Sequence, residues 1–296
     1  YRMSQAQINK QPSVAKALLE QNEAKVMEAR SERYTTANAA ILDLFHGAFM
    51  IHDDQEQHQF IDVGCGIGDL VFKHILPHCT PCRRLVAVDH SDHFIELASK
   101  TYPHPKIEYM VLDIVEDVEG FVRDQGQFQR VYSFSMLHWV KDKRVAMRNF
   151  ETLLAPGGEL FLVMLGGSQI HELYKEMMES TRFAKYNHIL KERMPVISAA
   201  LDKKSLRKYA ADLLKFTKLI PLTCEVFSYP STNLTKEEMT EDLYRVNHVK
   251  DLLNDAGKEE IRKLAAQFTE KIWAAKNGGE IVDRTIIVIH AQKPLN

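Results

Sequence analysis

The stretch Phe60-Ile-Asp-Val-Gly-Cys-Gly-Ile-Gly68 decides the fold class of this 296-residue chain. A short apolar run ends shortly after an acid, Asp62, and glycines follow at alternate positions, beginning with Gly64 and Gly66. This order is typical of a buried strand, a tight loop and the start of a helix. Glycine allows unusual backbone angles and close approach to a ligand, and the amides of a helix N-terminus face whatever lies on the loop. The stretch therefore predicts a nucleotide-type binding site.

The spacing of the glycines indicates which kind of nucleotide the loop can bind, and so do the acids around them. The third glycine comes one residue earlier than in the G-x-G-x-x-G fingerprint of dinucleotide-binding loops, and Asp69 follows it. A carboxylate is unfavourable beside a diphosphate, so the loop suits a cationic nucleoside without phosphates better. Asp89 ends the next predicted strand, where a carboxylate can accept hydrogen bonds from both hydroxyls of a ribose.

Asp113 closes the third predicted strand, within Leu112-Asp113-Ile114. At that position its carboxylate can accept a hydrogen bond from an adenine amino group while Ile114 covers the ring. The alternative role for Asp113 is that of a helix N-cap.

Short apolar segments alternate with helical patterns between residues 60 and 165, which predicts right-handed crossovers and a buried parallel sheet. Pro77 is expected to end the first of these helices. Pro156-Gly157-Gly158 is expected to separate a helix over 142–154 from a strand over 159–165. Two later strands are predicted at 224–229 and 285–291.

We predict one α/β domain over residues 35–296, preceded by a helical extension over residues 1–34. Helical cap elements are expected at about 168–219 and 235–276. Within the cap, four side chains are candidates either for an apolar pocket wall or for ordinary core packing: Met177, Met178, Phe183 and Met194.

Composition excludes several classes of function. The net charge of −2 and the pI near 6.7 give no electrostatic case for nucleic acid. No apolar run approaches the roughly 20 residues of a membrane span, and residues 1–10 lack a secretory apolar core, so we expect a cytoplasmic protein. Cys79-Thr-Pro-Cys82 lacks a second ligand pair at suitable spacing, so we expect no metal site. The sequence does not indicate an oligomeric state.

The glycine loop with Asp62, Asp89 and Asp113 resembles the class I S-adenosylmethionine-dependent methyltransferases over roughly residues 38–165. The resemblance implies a doubly wound, seven-stranded, mostly parallel Rossmann-like sheet with the last strand antiparallel, and S-adenosyl-L-methionine as cofactor. It also implies that Asp62 flanks the methionine part, Asp89 the ribose, and Asp113 with Ile114 the adenine. The remaining residues that we assign to cofactor binding on this resemblance are Gly64, Cys65, Gly66, His90, Phe134 and Ser135.

The segment Val131-Tyr-Ser-Phe-Ser-Met-Leu-His138-Trp139-Val-Lys-Asp142 is similar to the corresponding stretch of the insect juvenile hormone acid methyltransferases. Leu137-His138-Trp139 also occurs in the related trans-aconitate methyltransferases, and both groups methylate carboxylates. The resemblance implies that the indole N–H of Trp139 donates to a substrate carboxylate. The alternative is a core tryptophan that shields the cofactor. His138 is expected to be structural or a pocket wall rather than a base.

The sequence differs from the hormone-acid methyltransferases at a position that contacts the substrate in that family. Hormone-acid methyltransferases carry a glutamine in the first helix that shares carboxylate binding with the tryptophan, and residues 33–38 contain none. Thr36 and Asn38 are candidates to replace it, and Met164 is a further candidate for substrate contact.

We predict a carboxyl O-methyltransferase for a small-molecule carboxylic acid, most simply a lipophilic isoprenoid or fatty acid. One alternative is a small polyacid, which would need several cationic cap residues such as Arg182, Arg193 and Arg245. A second alternative is a catalytically silent S-adenosylmethionine-binding module. A nicotinamide-dependent oxidoreductase is disfavoured by the glycine spacing.

Overall fold

A computed structural model describes residues 35–50, 54–195, 197, 201–230, 235–277 and 283–295. The predicted extension over residues 1–34 lies outside these residues. The strands are β1 (Gln59–Val63), β2 (Arg84–Asp89), β3 (Ile107–Val111), β4 (Phe128–Phe134), β5 (Leu154–Leu165), β6 (Ile220–Pro230) and β7 (Asp283–Gln292).

Seven strands form one sheet in the order β3-β2-β1-β4-β5-β7-β6. Strands β1 to β5 pair in parallel, and β7 runs antiparallel to β5 and β6. The predicted doubly wound, mostly parallel seven-stranded fold is confirmed. The order reverses between β1 and β4, which is the position where sheets of this kind bind their ligands.

The helices are α1 (35–46), α2 (69–79), α3 (Asp92–Thr101), α4 (Glu119–Gln125), α5 (Lys143–Leu153), α6 (Gln169–Glu179), α7 (Asn187–Arg193), α8 (Lys203–Leu214), α9 (Lys236–Arg245) and α10 (Asp255–Asn277). Side chains alternate between the two faces of the sheet, as the period of two in a strand requires. Ile61 and Val131 belong to one buried cluster, whereas Phe60 and Tyr132 belong to the cluster on the other face. Both faces are therefore covered.

The prediction that Pro77 ends the first helix is wrong. Residues 69–79 are helical throughout, and Val71–Ile75 adopt a π-helical turn immediately before the α-helical turn Leu76–Cys79. Proline lacks an N–H and its ring collides with the carbonyl four residues earlier in a regular α-helix. A π turn bonds residues five apart, so it widens the helix just where Pro77 would otherwise break it.

The expected gap between the helix over 142–154 and its following strand is also absent. Strand β5 begins at Leu154, directly after α5, and Pro156-Gly157-Gly158 lies inside it. The register with β4 shifts here, because Phe128 pairs with Leu154 but Arg130 pairs with Glu159. The extra residues form an irregularity at the strand's start, which is where proline and glycine are tolerated in a sheet.

A buried charged network ties the segment after α1 to the sheet. Arg130 lies 2.8 Å from Glu159, which also contacts His290 at 2.8 Å, and all three side chains are almost fully buried. The Met50 amide donates to a Glu159 oxygen at 3.2 Å, and the Met50 carbonyl accepts from Arg130 at 3.1 Å. Burial acts to raise the pKa of Glu159, but the bonds from His290 and Arg130 outweigh it and lower that pKa.

Helices α6, α7, α9 and α10 share a separate hydrophobic cluster within the regions predicted as a cap. Helix α9 begins with a capping box, in which Thr235 and Glu238 bond reciprocally to each other's backbone amides. In the described part of the chain, none of the helices combines the length and apolarity needed to cross a bilayer. Nor do the described residues contain a group of three or more acidic, histidine or cysteine side chains arranged to hold a metal ion.

Candidate active site

The glycine loop after β1 lies against the end of β2. The amides of Gly64 and Cys65 donate to the Val88 carbonyl at 2.8 and 2.9 Å. Gly64 has a φ of +85°, and a Cβ there would lie 2.4 Å from Cγ of Met136. Glycine is thus required at position 64 both by backbone angle and by the close approach of the neighbouring loop.

Asp89 organises this loop. Its Oδ2 accepts from the Gly66 amide at 3.1 Å, and its Oδ1 accepts from the Ser91 amide at 3.0 Å. The His90 ring nitrogen Nδ1 lies 3.0 Å from the same Oδ1. The Asp89 carboxylate is therefore fixed at the carboxyl end of β2, and the loop predicted to bind a nucleoside is in direct contact with it.

The end of β3 lies next to this site, since the Leu112 amide donates to the Asp89 carbonyl at 3.0 Å. Asp113 accepts from the Val115 amide at 3.1 Å, and Ile114 is buried. This bond forms a local turn and not a helix cap, because the next helix begins only at Glu119. The alternative of an N-cap role for Asp113 is therefore wrong.

Asp62 is an acid of the site whose surroundings shift its pKa. Among the described residues, no group hydrogen-bonds to its Oδ1, although the side chain is almost completely buried. Burial, together with the negative charges of Asp89 and Asp69, raises the pKa of Asp62 to about 8. Asp69 in turn accepts a hydrogen bond from Thr35 of α1. The loop is thus surrounded by three buried carboxyl groups.

The turn after β4 covers the other side of the glycine loop. Ser135 has a φ of +53° and donates to Oδ1 of Asn38 at 3.2 Å. The Trp139 amide bonds to the Met136 carbonyl at 2.9 Å, which closes a tight turn with Met136 packed on Gly64. Trp139 is 40% exposed, so the alternative of a core tryptophan does not describe it. The indole projects from a turn anchored beside the glycine loop.

Two histidine rings flank Trp139. The His138 ring centroid lies 5.2 Å away at an interplanar angle of 41°, and that of His248, from the turn after α9, lies 6.2 Å away at 81°. His138 is fully buried, and burial, with the nearby Lys143 charge, lowers its pKa to about 3. His138 is therefore neutral at pH 7 and a very weak base.

The sequence-predicted residues fall into two groups. Those at the ends of β1, β2 and β4 come together at one edge of the sheet: Asp62, Gly64, Cys65, Gly66, Asp89, His90, Ser135 and Trp139. Phe134 is buried in a core cluster against Tyr132, and Thr36 is exposed on α1. Met164 is fully buried in the larger core cluster and offers no surface to a substrate. Met177 and Phe183 pack into the core of the cap.

The neighbours missed by sequence reasoning are His248 and Tyr174, whose hydroxyl lies 2.7 Å from Nδ1 of that histidine. No local motif marks either residue. Only the packing of the cap brings them to Trp139.

Comparisons with known proteins concern the family and the fold of this chain. Residues 61–162 match the family model described as a methyltransferase domain. The chain is 32% identical over 125 residues to the juvenile hormone acid O-methyltransferase of Bombyx mori, covering 42% of this chain and 44% of the relative. It is 31% identical over 149 residues to the enzyme of the same name from Drosophila melanogaster, covering 49% of each chain. The matches thus span less than half the length of either relative.

Among solved structures, the chain is similar to an S-adenosylmethionine-dependent methyltransferase from Anabaena variabilis. The TM-score is 0.52 at 15% sequence identity, over 96% of both chains. At that identity the likeness concerns the fold. The match of residues 61–162 to the methyltransferase-domain model, the sheet order and the glycine loop together support a class I S-adenosyl-L-methionine-dependent methyltransferase. Its cofactor is accordingly S-adenosyl-L-methionine.

The residues present fit this cofactor. S-adenosyl-L-methionine is positively charged at sulfur and at its amino group, and Asp62 offers a buried carboxyl oxygen that no other described group occupies. An opposite charge nearby favours the ionised carboxylate. Asp89 meets the requirement for a fixed acid at the ribose position, because backbone amides already hold both of its oxygens.

Proposed function

We propose that the chain transfers a methyl group from S-adenosyl-L-methionine to the carboxylate of a lipophilic acid, which gives a methyl ester. The observation that carries this proposal is the half-exposed indole of Trp139 on a turn packed against the glycine loop. An indole N–H is a donor only, so it suits an anionic oxygen. The names of the two insect relatives support a carboxylic acid as acceptor.

In this proposal the glycine loop would hold the cofactor. Asp89 would accept from the ribose hydroxyls, Asp113 and Ile114 would bind the adenine, and Asp62 would face the positively charged methionine part. Gly64, Cys65 and Gly66 line the loop, and Ser135 borders it from β4. When bound, the cofactor supplies an electrophilic methyl group on a positively charged sulfur.

The chain's own task is orientation. A carboxylic acid has an ordinary pKa near 4 and is ionised at pH 7, so the acceptor needs no general base. This agrees with a His138 imidazole whose pKa is lowered to about 3 by burial. Trp139 would hold one carboxylate oxygen, which would leave the other oxygen to face the methyl group that the bound cofactor would supply. Correct alignment of the reacting atoms supplies the rate enhancement.

The cap favours a lipophilic acid over a polyacid. Arg182 is paired with Glu260, and Arg245 is paired with Glu241 at 3.0 Å. These arginines are therefore engaged by acids of the cap itself, whereas a polyanionic substrate would need them.

The test is incubation with methyl-labelled cofactor and a panel of dodecanoic acid, farnesoic acid and trans-aconitic acid, with product masses determined. We expect methyl esters of the first two acids. Trp139→Phe keeps the ring and deletes the donor, so it should reduce turnover while leaving affinity for S-adenosylhomocysteine intact. Binding of the cofactor without an ester from any acid would instead support a silent binding module.

A further inference from the structure

We propose that Lys143 supplies the positive charge that attracts the acceptor's carboxylate to Trp139. This inference rests on the proposed carboxyl methylation, and it assigns the selection of an anion to a residue outside those that the sequence motifs indicate. Lys143 is the first residue of α5, directly after the turn that carries Trp139. It acts as a positioning residue, because its charge works through the electrostatic field and takes no part in the methyl transfer itself.

The surroundings of Lys143 are unfavourable for a cation. The residue is only 6% exposed, and burial lowers the pKa of its ammonium group to about 8. It lies at the N-terminus of a helix, where the helix dipole favours negative charge. Within the ranges that the structure describes, the ammonium forms no ion pair. Buried charges in proteins are normally paired, so the fold keeps a cation here without its usual partner.

The ammonium of Lys143 lies next to the residue that is proposed to bind the acceptor. It donates a hydrogen bond to the carbonyl of Val140, which directly follows Trp139 in the chain. The Val140 amide in turn donates to the Leu137 carbonyl at 3.1 Å. The lysine side chain therefore folds back onto the turn that carries Trp139, and its charge acts on any anion that binds to this turn.

A second buried polar group of the same turn is also incompletely bonded. The His138 side chain is 2% exposed, and none of the described residues hydrogen-bonds to its Nδ1. Lys143 is near enough for its positive charge to contribute to the low pKa of this imidazole. A neutral imidazole cannot offset the charge of an ammonium group, so His138 does not compensate Lys143.

The charged side chains next to Lys143 in the chain do not compensate it either. Lys141 and Arg144 are themselves cations and are exposed, and Lys141 donates to the Lys191 carbonyl of α7 at 2.7 Å. Asp142 is exposed and caps α5, since its Oδ1 accepts from the Val145 amide at 3.1 Å. A substrate carboxylate at Trp139 is therefore an anion that suits this uncompensated charge.

The charge of the acceptor changes during the reaction, and this change defines what Lys143 contributes. The low dielectric around a buried group strengthens its attraction for a carboxylate. Methyl transfer converts the carboxylate into a neutral ester, so the attraction ends with the reaction. The cation thus stabilises the bound acid at least as much as the transition state, in which the negative charge is already decreasing. Lys143 lowers KM for acids without raising kcat.

The experiment uses the full chain, saturated with S-adenosylhomocysteine for calorimetry and with S-adenosyl-L-methionine for turnover. Lys143→Met removes the charge and keeps an unbranched side chain. It should weaken dodecanoate binding and raise KM roughly 10-fold, while kcat does not fall and the affinity for dodecan-1-ol is unaltered. Lys143→Arg keeps the charge and should recover most of the affinity.

Lys293→Met is the matched control. Lys293 is also a partly buried lysine whose pKa burial lowers. Its ammonium donates to the carbonyls of Glu151 and Leu154 at 2.8 and 2.7 Å, where β5 begins, at the edge of the sheet opposite the candidate site. The same chemical change at this distant position should leave dodecanoate binding and KM as in the unaltered chain.

Two further readouts separate this role from a structural one. An anion raises the pKa of a neighbouring ammonium, so at pH 8 the unaltered chain should take up to about 0.5 proton per dodecanoate bound. Lys143→Met should abolish that uptake. Because Lys143→Met replaces an uncompensated buried charge by an apolar chain, the free energy of unfolding in urea should be unchanged or higher. A lysine that merely tied the turn together would give a loss of stability instead.

The outcomes distinguish this inference from the proposed function. If Lys143→Met binds and esterifies dodecanoate like the unaltered chain, Lys143 has no such role and the proposed function survives. The same conclusion follows if the unaltered chain takes up no proton at pH 8, a measurement that does not depend on the folding of any variant. If no acid of the panel yields an ester, the proposed function fails and this inference fails with it.

Discussion

Binding of S-adenosyl-L-methionine should release a proton from Asp62. Without cofactor, burial and the charges of Asp89 and Asp69 hold the pKa of Asp62 at about 8. A cationic ligand beside the carboxyl group favours its ionised form and lowers that pKa. Ligand binding and proton loss are therefore linked, and the carboxyl group changes state within the physiological pH range.

The size of the effect follows from the pKa of about 8. At pH 7 about 0.9 of the Asp62 carboxyl groups carry a proton, so binding should release up to about 0.9 proton per chain. Between pH 6 and 7 the affinity should rise nearly tenfold, and above pH 8 the Asp62 contribution should level off. The cofactor's own amino group, with an ordinary pKa near 8, stays mostly protonated in the lower window.

The same shift affects the stability of the cofactor-free chain. The folded pKa of Asp62 lies above the unfolded value near 4, so the folded state binds more protons between these two pH values. Stability falls with pH wherever the folded state holds more protons. The Asp62 contribution should therefore lower the free energy of unfolding progressively from about pH 4 to pH 8.

The assay is titration calorimetry at pH 7 in two buffers with different ionisation enthalpies, which counts the protons released. Asp62→Asn should abolish the release and weaken binding. The matched control is Asp113→Asn, which removes a carboxylate that is only partly buried and should alter affinity without changing the proton count. Equal heats in both buffers for the unaltered chain, or release that persists in Asp62→Asn, would refute the reasoning.

Three further changes have defined outcomes. Asp89→Ala removes an acceptor of charged hydrogen bonds and should cost roughly 1.5–3 kcal/mol of cofactor binding per bond lost; calorimetry showing unaltered affinity would contradict it. Gly64→Ala places a side chain at a φ of +85° and should destabilise the chain by more than about 1 kcal/mol in urea unfolding. Glu159→Gln leaves Arg130 buried without its full counter-charge and should lower the free energy of unfolding by up to about 3–5 kcal/mol. Glu108→Gln is the control, because it breaks an exposed ion pair with Arg84. It should lower the free energy of unfolding by no more than about 1 kcal/mol.

The sheet and the cofactor side of the site could be predicted because their signals are local. Apolar runs, turn residues and acids at strand ends lie within a few residues of one another. Ser91 illustrates this, since serine is a common helix N-cap and its side chain accepts from the Phe94 amide at the start of α3. The contact between the glycine loop and Asp89 then follows from topology, because parallel strands end at the same edge.

The remaining features depend on tertiary contacts. A helix that continues through Pro77 requires a π turn, and residue preferences do not predict such a turn. Thr35 reaches Asp69 from a separate helix, and His248 reaches Trp139 from the cap. The substrate side of the site is built from such long-range neighbours, so its recognition elements could not be deduced from motif spacing.

The buried trio of Arg130, Glu159 and His290 has a consequence for redesign and for natural variation. Replacing a whole buried ionic group by apolar side chains of similar volume is often neutral or stabilising, whereas replacing one member leaves a buried charge without its partner. The backbone of Met50 also depends on two of the three. Related chains should therefore exchange these positions in concert, and a heat-resistant variant is better sought by substituting the trio together than by improving any one of them.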